Sequence, residues 1–249
     1  MPTRILLTNM GYARGINGTL GQHMRYAARH VWSRPGVQKR VLALLKALIH
    51  QREVDICCLL EVDTGSFGSH GMNQLNALMD EEYRYADAQS KYGTESRHHR
   101  APLTAGKSNG FIARRDYPFE TLYFTVGTKR LIYRVRLGAG LTLYFTHFSL
   151  KRAVRERQLY ELFELADGTE GEVILMGDFN VLTGLDEVRP LLATRPLTLL
   201  NDPAVHTFVF HRRRLVLDLC IASKSLAARA SLEVIPQPYS DHAALLLTL

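Results

Sequence analysis

Carboxylates, carboxamides and imidazoles recur at one kind of place in this 249-residue chain, the end of a short apolar run. Asn9 follows Ile5-Leu6-Leu7-Thr8, and Glu61 follows Ile56-Cys57-Cys58-Leu59-Leu60. His147 follows Leu143-Tyr144-Phe145-Thr146, while Asp178 and Asn180 follow Val173-Ile174-Leu175-Met176-Gly177. Asp241-His242 follows Ser240 and opens the last apolar run. Asp218 differs, lying inside Leu215–Ala222, where a carboxylate is costly unless paired or hydrogen-bonded. Polar residues that end strands can converge at a sheet edge. Oxygen ligands of these types suit a hard divalent ion. An imidazole held by a carboxylate suits acid–base or charge-stabilising work. Each residue also has a plain structural alternative. Asp178 and Asn180 fit an Asx turn, His147 a satisfied core histidine, Glu61 a loop cap, Asp218 a partner for an arginine, and Asn9 a turn.

Those positions need elements to hold them. Short apolar runs flanked by turn residues predict strands at Arg4–Asn9, Asp55–Glu61, Gly110–Arg114, Leu131–Leu137, Leu141–His147 and Glu172–Met176. Further strands are expected at Leu215–Ala222, Leu232–Ile235 and His242–Leu249. Helical spacing of Val41, Leu44, Leu45 and Leu48 predicts a helix over Gln38–Gln51, and that of Leu159, Leu162, Phe163 and Ala166 another over Lys151–Asp167. Gly71–Glu82 carries a weaker helical pattern. Gly138-Ala139-Gly140 reads as a hairpin turn, and His211-Arg212-Arg213-Arg214 as the basic tip of a second hairpin. The longest irregular stretch, Ala88–Ser108, contains Ser96-Arg97-His98-His99-Arg100 and is long enough to be functional. Mixed strands and helices without a compositional break predict one α/β domain over residues 1–249.

Hydrophobic residues make up 46 % and charged residues 22 %, which argues against intrinsic disorder. No apolar run approaches the ~18–20 residues of a membrane span, and Met1–Tyr12 lacks the apolar core of a secretory signal. Cys57, Cys58 and Cys220 are expected to be buried free thiols in a reducing, cytoplasmic setting. The net charge of +7 is unevenly spread: Lys91 to Arg157 holds 14 basic and 4 acidic residues, leaving −3 for the rest. Such a segment suits a polyanionic partner or a solvated basic face.

Taken together and in order, the motifs resemble the endonuclease/exonuclease/phosphatase (deoxyribonuclease-I-like) superfamily. Gly177-Asp178-Phe179-Asn180 resembles its GDFN signature and Ser240-Asp241-His242 its SDH signature. Leu60-Glu61 is similar to its strand-end glutamate, Thr146-His147-Phe148 to its THL-like strand, and Asn9 to its N-terminal asparagine. Arg155-Glu156-Arg157-Gln158 resembles an Arg-x-x-Gln pattern on the next helix, Arg130 an arginine starting the preceding strand, and Thr207-Phe208 and Leu217-Asp218 two late elements. The tryptophan usual before the asparagine is absent, and Leu219-Cys220 replaces an aromatic–aliphatic pair; both are packing differences.

The resemblance implies a four-layer α/β sandwich, two packed mixed β-sheets flanked by helices, with the site at one edge. It implies a Mg²⁺-dependent phosphoesterase, Mn²⁺ being an alternative ion. Glu61, Asn9 and Asp241 would ligate metal. His147, Asp178, Asn180, Asp218 and His242 would be catalytic, with either His242 or Asp178 as the base. Arg130, Thr207, Asn180 and His147 would bind substrate. The leading expectation is a monomeric nuclease or other phosphodiesterase acting on a polyanion, DNA or RNA, without integral membrane association. The alternatives are an enzyme for phosphorylated lipid or inositol headgroups and a catalytically inactive binding module. Arg97, Arg100, Lys107 and Arg130 are expected to line the polyanion's approach.

Overall fold

The runs that end in polar residues are apolar at almost every position, as strands covered on both faces must be. In the computed structural model, which describes residues 2–30, 32–93, 96, 104–138 and 140–249, they are the inner strands of two sheets. The first sheet has the order β13-β14-β1-β2-β4-β3. Its members are β1 (Arg4–Asn9), β2 (Ile56–Asp63), β3 (Tyr85–Ser90), β4 (Lys107–Ala113), β13 (Ser231–Ile235) and β14 (Ala244–Thr248). The second has the order β5-β6-β7-β8-β12-β9. It comprises β5 (Phe119–Tyr123), β6 (Leu131–Gly138), β7 (Leu141–His147), β8 (Glu172–Asp178), β9 (Leu197–Leu199) and β12 (Asp218–Ser223). A separate two-stranded hairpin pairs β10 (Phe208–Phe210) with β11 (Arg213–Leu215).

Each sheet has one parallel pair, and each pair is joined through a helix. β1 and β2 are parallel, with α1 (Leu20–Arg25) and α2 (Pro35–Gln51) between them. β7 and β8 are parallel; α3 (Gln74–Leu78) precedes them, and α4 (Arg152–Asp167) makes the crossover. Side chains alternate between faces along a strand. Ile5, Leu7, Ile56, Cys58 and Leu60 therefore meet Tyr133, Val135, Leu143, Phe145, Ile174 and Met176 between the sheets. Leu6, Cys57 and Leu59 turn outward under Val41, Leu42, Leu45 and Ile49 of α2. Tyr144, Leu175, Leu219 and Ile221 turn outward under Leu159, Leu162, Phe163 and Ala166 of α4. The layers run helix, sheet, sheet, helix, the four-layer sandwich that was expected. Adjacent Cys57 and Cys58 sit on opposite faces of one strand, both buried and free, and burial pushes both thiols up. No helix among the described residues is long and apolar enough to cross a membrane.

Several boundaries differ from the sequence expectation, for physical reasons. β2 continues past Glu61 to Asp63 because a bulge between Leu59 and Val62 absorbs the break in its pairing with β4. The run Leu215–Ala222 splits: β11 ends at Leu215 and β12 begins at Asp218, in a different sheet. The last strand starts at Ala244, leaving His242 in an isolated bridge to Phe208. The weak helical pattern of residues 71–82 yields only α3, capped by the Asn73 side chain accepting from the Asn76 amide. β3, Tyr-Ala-Asp-Ala-Gln-Ser, has little apolar content and is held as an edge strand by its ladder with β4.

Candidate active site

Parallel pairing delivers two strand ends to the same edge, and the two sheets do this side by side. Asn9 is in register with Leu60, His147 with Asp178, and antiparallel β12 places Asp218 opposite Asp178. Two residues then take left-handed backbone, Glu61 at φ 54° and Asn180 at φ 51°. At Glu61 the bulge re-aims the side chain, and the Asn109 side-chain oxygen accepts from its amide at 3.1 Å. At Asn180 the turn lets the backbone amide donate to Asp178 Oδ1 (3.1 Å) while the carboxamide donates to the Phe148 carbonyl (3.0 Å). Asn9, Glu61, His147, Asp178, Asn180, Asp241 and His242 all line one cavity of about 190 Å³.

Charge is strongly organised around this cavity. His242 Nδ1 lies 2.7 Å from Asp218 Oδ2, and its Nε2 is 3.8 Å from Asp178 Oδ2. Burial alone would lower the imidazole's pKa; the two carboxylates outweigh it and raise it to about 10. Burial pushes Asp178 upward; His242 opposes that, and the Asp218 charge adds to it. Asp178 Oδ2 also accepts from Asn9 Nδ2 at 3.2 Å and lies 3.2 Å from His147 Nε2. Burial and the neighbouring Lys129 ammonium hold His147 well below the usual histidine range. Glu61 goes the other way. Burial would raise its carboxyl, but Lys91 (3.1 Å) and Lys129 (3.8 Å) hold it well below the ordinary range.

Two of the expected substrate contacts lie elsewhere. The Arg130 Nε donates to the Phe124 carbonyl at 2.6 Å, and the residue is absent from the cavity wall. The side chain reaching the cavity from this segment is its neighbour Lys129, whose ammonium meets His147 Nε2. Thr207 is buried, and its hydroxyl accepts from the amides of Leu217 and Asp218, both at 2.9 Å, which makes it a support for Asp218. Lys107 is 3.1 Å from Asp63 and 3.8 Å from the centre of the Tyr12 ring. Arg97 and Arg100 lie outside the described residues.

The residues that the motifs did not announce are Lys91, Lys129, Tyr12 and Arg14. Tyr12 sits in a turn with left-handed backbone at Gly11, Tyr12 and Ala13, a conformation costly for non-glycine residues. Gln74 secures it by donating to the Tyr12 carbonyl at 2.8 Å. The Tyr12 hydroxyl meets the Lys91 ammonium, and its ring carries Lys107 and Arg14. The Arg-x-x-Gln pattern has a mechanical role. Gln158 accepts from the Ser149 amide (2.9 Å) and donates to the Lys129 carbonyl (2.7 Å), fixing the segments that follow His147 and carry Lys129. Arg155 donates to the carbonyls of Ser149 and Leu150 and forks onto buried Glu187. The one signal in the sequence for Lys91 and Lys129 is that both belong to the basic segment.

Two donor sets could receive a divalent ion. Asp178, Asp218 and His242 have ligand atoms within 4.8 Å of one another. In that set the imidazole is held protonated by both carboxylates, so it opposes a cation. Glu61, Asn9 and Asp241 offer only oxygen-type ligands on the cavity wall, the chemistry Mg²⁺ takes. Both lysines approach the same Glu61 oxygen, Oε1. The second set fits a hard ion.

Fold and site together set carboxylates and imidazoles around one cavity at the edge of a double-sheet sandwich. The chain belongs to the Endonuclease/Exonuclease/phosphatase family, whose sequence model matches residues 30–242. Family membership implies a phosphoesterase, and the family generally uses divalent metals. Among curated proteins no sequence matches the chain. Solved structures of the same fold include an endonuclease/exonuclease/phosphatase from Beutenbergia cavernae, 17 % identical, with 99 % of this chain and 71 % of that one covered at a TM-score of 0.69. D. rerio TDP2 complexed with a single-strand DNA product is 16 % identical, covering 99 % and 98 % at 0.67. A mannosyl-6-phosphatase from Bacteroides thetaiotaomicron is 15 % identical, covering 99 % of both chains at 0.64. At these identities the likeness establishes the fold.

Proposed function

We propose that this protein is a divalent-metal-dependent phosphodiesterase acting on nucleic acid. The observation that carries the proposal is the convergence of Glu61, Asp178, His147 and the His242–Asp218 pair on one cavity edged by Lys129 and Arg14. Glu61, Asn9 and Asp241 would hold Mg²⁺ or Mn²⁺, which supplies Lewis acidity at a phosphoryl oxygen when bound. Asp178, pushed upward and fixed by Asn9 and the Asn180 amide, is suited to orient a water and take its proton. His242, kept as an imidazolium by Asp218, stabilises negative charge on the phosphoryl oxygens. His147 and Lys129 face the scissile phosphate or leaving group. Asn180 orients phosphate through whatever hydrogen-bonding capacity its Phe148 contact leaves. Residues 1–249 act as one domain and one chain, and the three buried free thiols suit a reducing cytoplasmic setting.

The nucleic-acid assignment draws on the net charge of +7 and on the single-strand DNA product held by the TDP2 relative. The test is Mg²⁺-dependent turnover against single- and double-stranded DNA, RNA, phosphoinositides and sphingomyelin. Turnover of DNA or RNA that EDTA abolishes is expected. Turnover confined to the lipids would overturn the nuclease assignment, and full activity in EDTA would overturn the metal chemistry.

A further inference from the structure

The first 52 residues hold nine lysines and arginines and no carboxylate. Three of those cations find acids from later in the chain: Arg4 pairs with Glu53, Lys46 with Asp80 and Arg52 with Glu233. Among the described residues, Arg14, Arg25, Arg29, Arg34, Lys39 and Arg40 pair with no carboxylate. Arg34 is the N-cap of α2, whose first turn carries no acid. A cation there opposes the helix dipole, so helix stability does not account for it. Lys39 and Arg40 follow about one turn further on, both exposed.

Exposed apolar side chains gather beside these cations. Trp32 is 41 % exposed and Phe67 58 %, and their rings meet edge to face at 4.8 Å. On α1, Leu20 and Met24 stand one turn apart, 52 % and 74 % exposed. Single exposed apolar side chains are ordinary, whereas a group of them rimmed by cations marks a contact surface. The two rings are held from beneath. Ser33 donates its amide to the Gly68 carbonyl at 2.9 Å, and buried Gln38 of α2 donates to the carbonyls of Ser33 (2.8 Å) and Ser69 (3.2 Å). Arg29 stacks 3.6 Å from the centre of the Tyr26 ring and donates to the Arg14 and Gly15 carbonyls, both at 3.4 Å. Arg14 lines the cavity that holds Glu61 and Asp178, and it shares a narrow crevice with Arg29, Ser33 and Gly68. The patch therefore adjoins the cavity.

We propose that this surface seats the protein peripherally on an anionic phospholipid membrane, with Trp32 and Phe67 at the boundary between headgroups and acyl chains. Tryptophan favours that boundary because its ring is apolar and its N–H polar. Arg34, Lys39 and Arg40 supply the attraction to anionic headgroups, and basic residues beside exposed apolar ones are the composition of an interfacial element. A nucleic acid would engage the cations, but its phosphates give no burial to Leu20 and Met24, which hydrocarbon takes up. The proposal goes beyond the phosphodiesterase reading and does not depend on what the cavity hydrolyses.

Trp32 is the chain's only tryptophan, so its fluorescence reports this surface alone. In EDTA, which removes divalent bridges to lipid, vesicles of ~30 % phosphatidylserine in phosphatidylcholine are expected to shift its emission to shorter wavelength. Brominated phosphatidylcholine in the same vesicles should quench it, and vesicles of phosphatidylcholine alone should leave the spectrum unchanged. Replacing Arg34, Lys39 and Arg40 together by Ala should weaken co-sedimentation with the anionic vesicles about 10²-fold, roughly fivefold per cation. Phe67→Ser should weaken it about tenfold. An unshifted tryptophan with the anionic vesicles would overturn the proposal, and so would an equal shift with phosphatidylcholine alone. Vesicle binding equal to wild type in both the triple variant and Phe67→Ser would overturn it too, by placing the contact elsewhere. So would an oligothymidylate affinity that the triple variant loses while vesicles leave the spectrum unchanged, the pattern of a nucleic-acid surface.

Discussion

Replacing Asp218 by Asn removes one charge from the His242 imidazole and leaves its shape, 2.7 Å away, nearly intact. Lifting that imidazole from about 6.5 to about 10 corresponds to roughly 5 kcal/mol of preference for its charged form. Asp218 accounts for the larger share, because Asp178 stands farther off at 3.8 Å. A histidine raised on folding stabilises the native state fully below about pH 6.5 and loses that contribution as pH rises through its folded value. The raised carboxyl of Asp178 loses its own contribution between about 4 and about 7, so it is spent before the window opens. Urea unfolding in EDTA at about pH 7.5 and pH 10.5 therefore isolates His242. The wild type should lose roughly 2–3 kcal/mol more across that interval than Asp218→Asn. Titrations common to both proteins cancel in this difference. In the metal-loaded enzyme, kcat should fall by about 10² or more, because the imidazole loses its fixed tautomer and its charge. Parallel stability profiles would refute the ion pair, whatever happened to the rate.

Glu61→Gln removes the carboxylate that both lysines address; Mn²⁺ binding followed by calorimetry should disappear and turnover should drop at least about 10²-fold, an undiminished heat of binding placing the ion elsewhere. Lys129→Met should lower kcat/KM about 10²-fold yet tighten Mn²⁺ binding, since an ammonium 3.8 Å from Glu61 competes with the ion; weakened Mn²⁺ binding would instead make Lys129 a support for Glu61. Arg155→Met leaves Glu187 buried without its guanidinium fork and should cost about 3–5 kcal/mol in urea unfolding, whereas a loss below about 1 kcal/mol would show that Glu187 finds water.

What the sequence made legible follows from period and position. Asn9, Glu61, His147 and Asp178 stand at the ends of runs apolar on both faces, and only central strands of a covered sheet read that way. Asp218 was legible through its cost, as a carboxylate in an apolar run, and the structure supplies its partner in His242. The bulge at Glu61 and the left-handed turn at Gly11–Ala13 left no such trace. Both are set by tertiary contacts, the first through Asn109 and the second through Gln74, 62 residues away from Tyr12. Lys129 and Arg130 are adjacent in the chain, and no local rule says which faces the cavity. That choice is made by Gln158 gripping the Lys129 carbonyl and by the Phe124 carbonyl taking the Arg130 guanidinium.

Charge shows most clearly why linear reasoning stops short. The excess of +10 between Lys91 and Arg157 suggested a surface for a polyanion, yet part of it is offset by acids from elsewhere in the chain. Arg114 pairs with Glu82, Lys107 with Asp63 and Arg155 with Glu187, all partners outside the segment; Arg134 pairs with Glu120 and Arg152 with Glu156 within it. The solvent-exposed pair Arg152–Glu156 contributes little to stability, but every pair, buried or exposed, removes a cation from the set available to a phosphate. Among the described residues, what remains positive beside the cavity is Lys129 with Arg14, backed by Lys91; the density of the basic segment covered the two lysines without singling them out, and Arg14 lies outside it. Among the described residues, Arg212-Arg213-Arg214 is an exposed run of cations, in a part of the chain whose net charge is negative once Lys91–Arg157 is set aside. A polyanion samples potential in space, where one paired arginine counts for less than one unpaired arginine on a rigid hairpin. The salt slope of oligonucleotide binding should therefore follow residues 212–214 more closely than it follows Lys107 or Arg130, and comparing the Arg212/Arg213/Arg214 triple alanine variant with Lys107→Ala and Arg130→Ala decides the matter. A slope that drops with Lys107 or Arg130 while the triple variant keeps it would return the polyanion to the segment that the sequence first singled out.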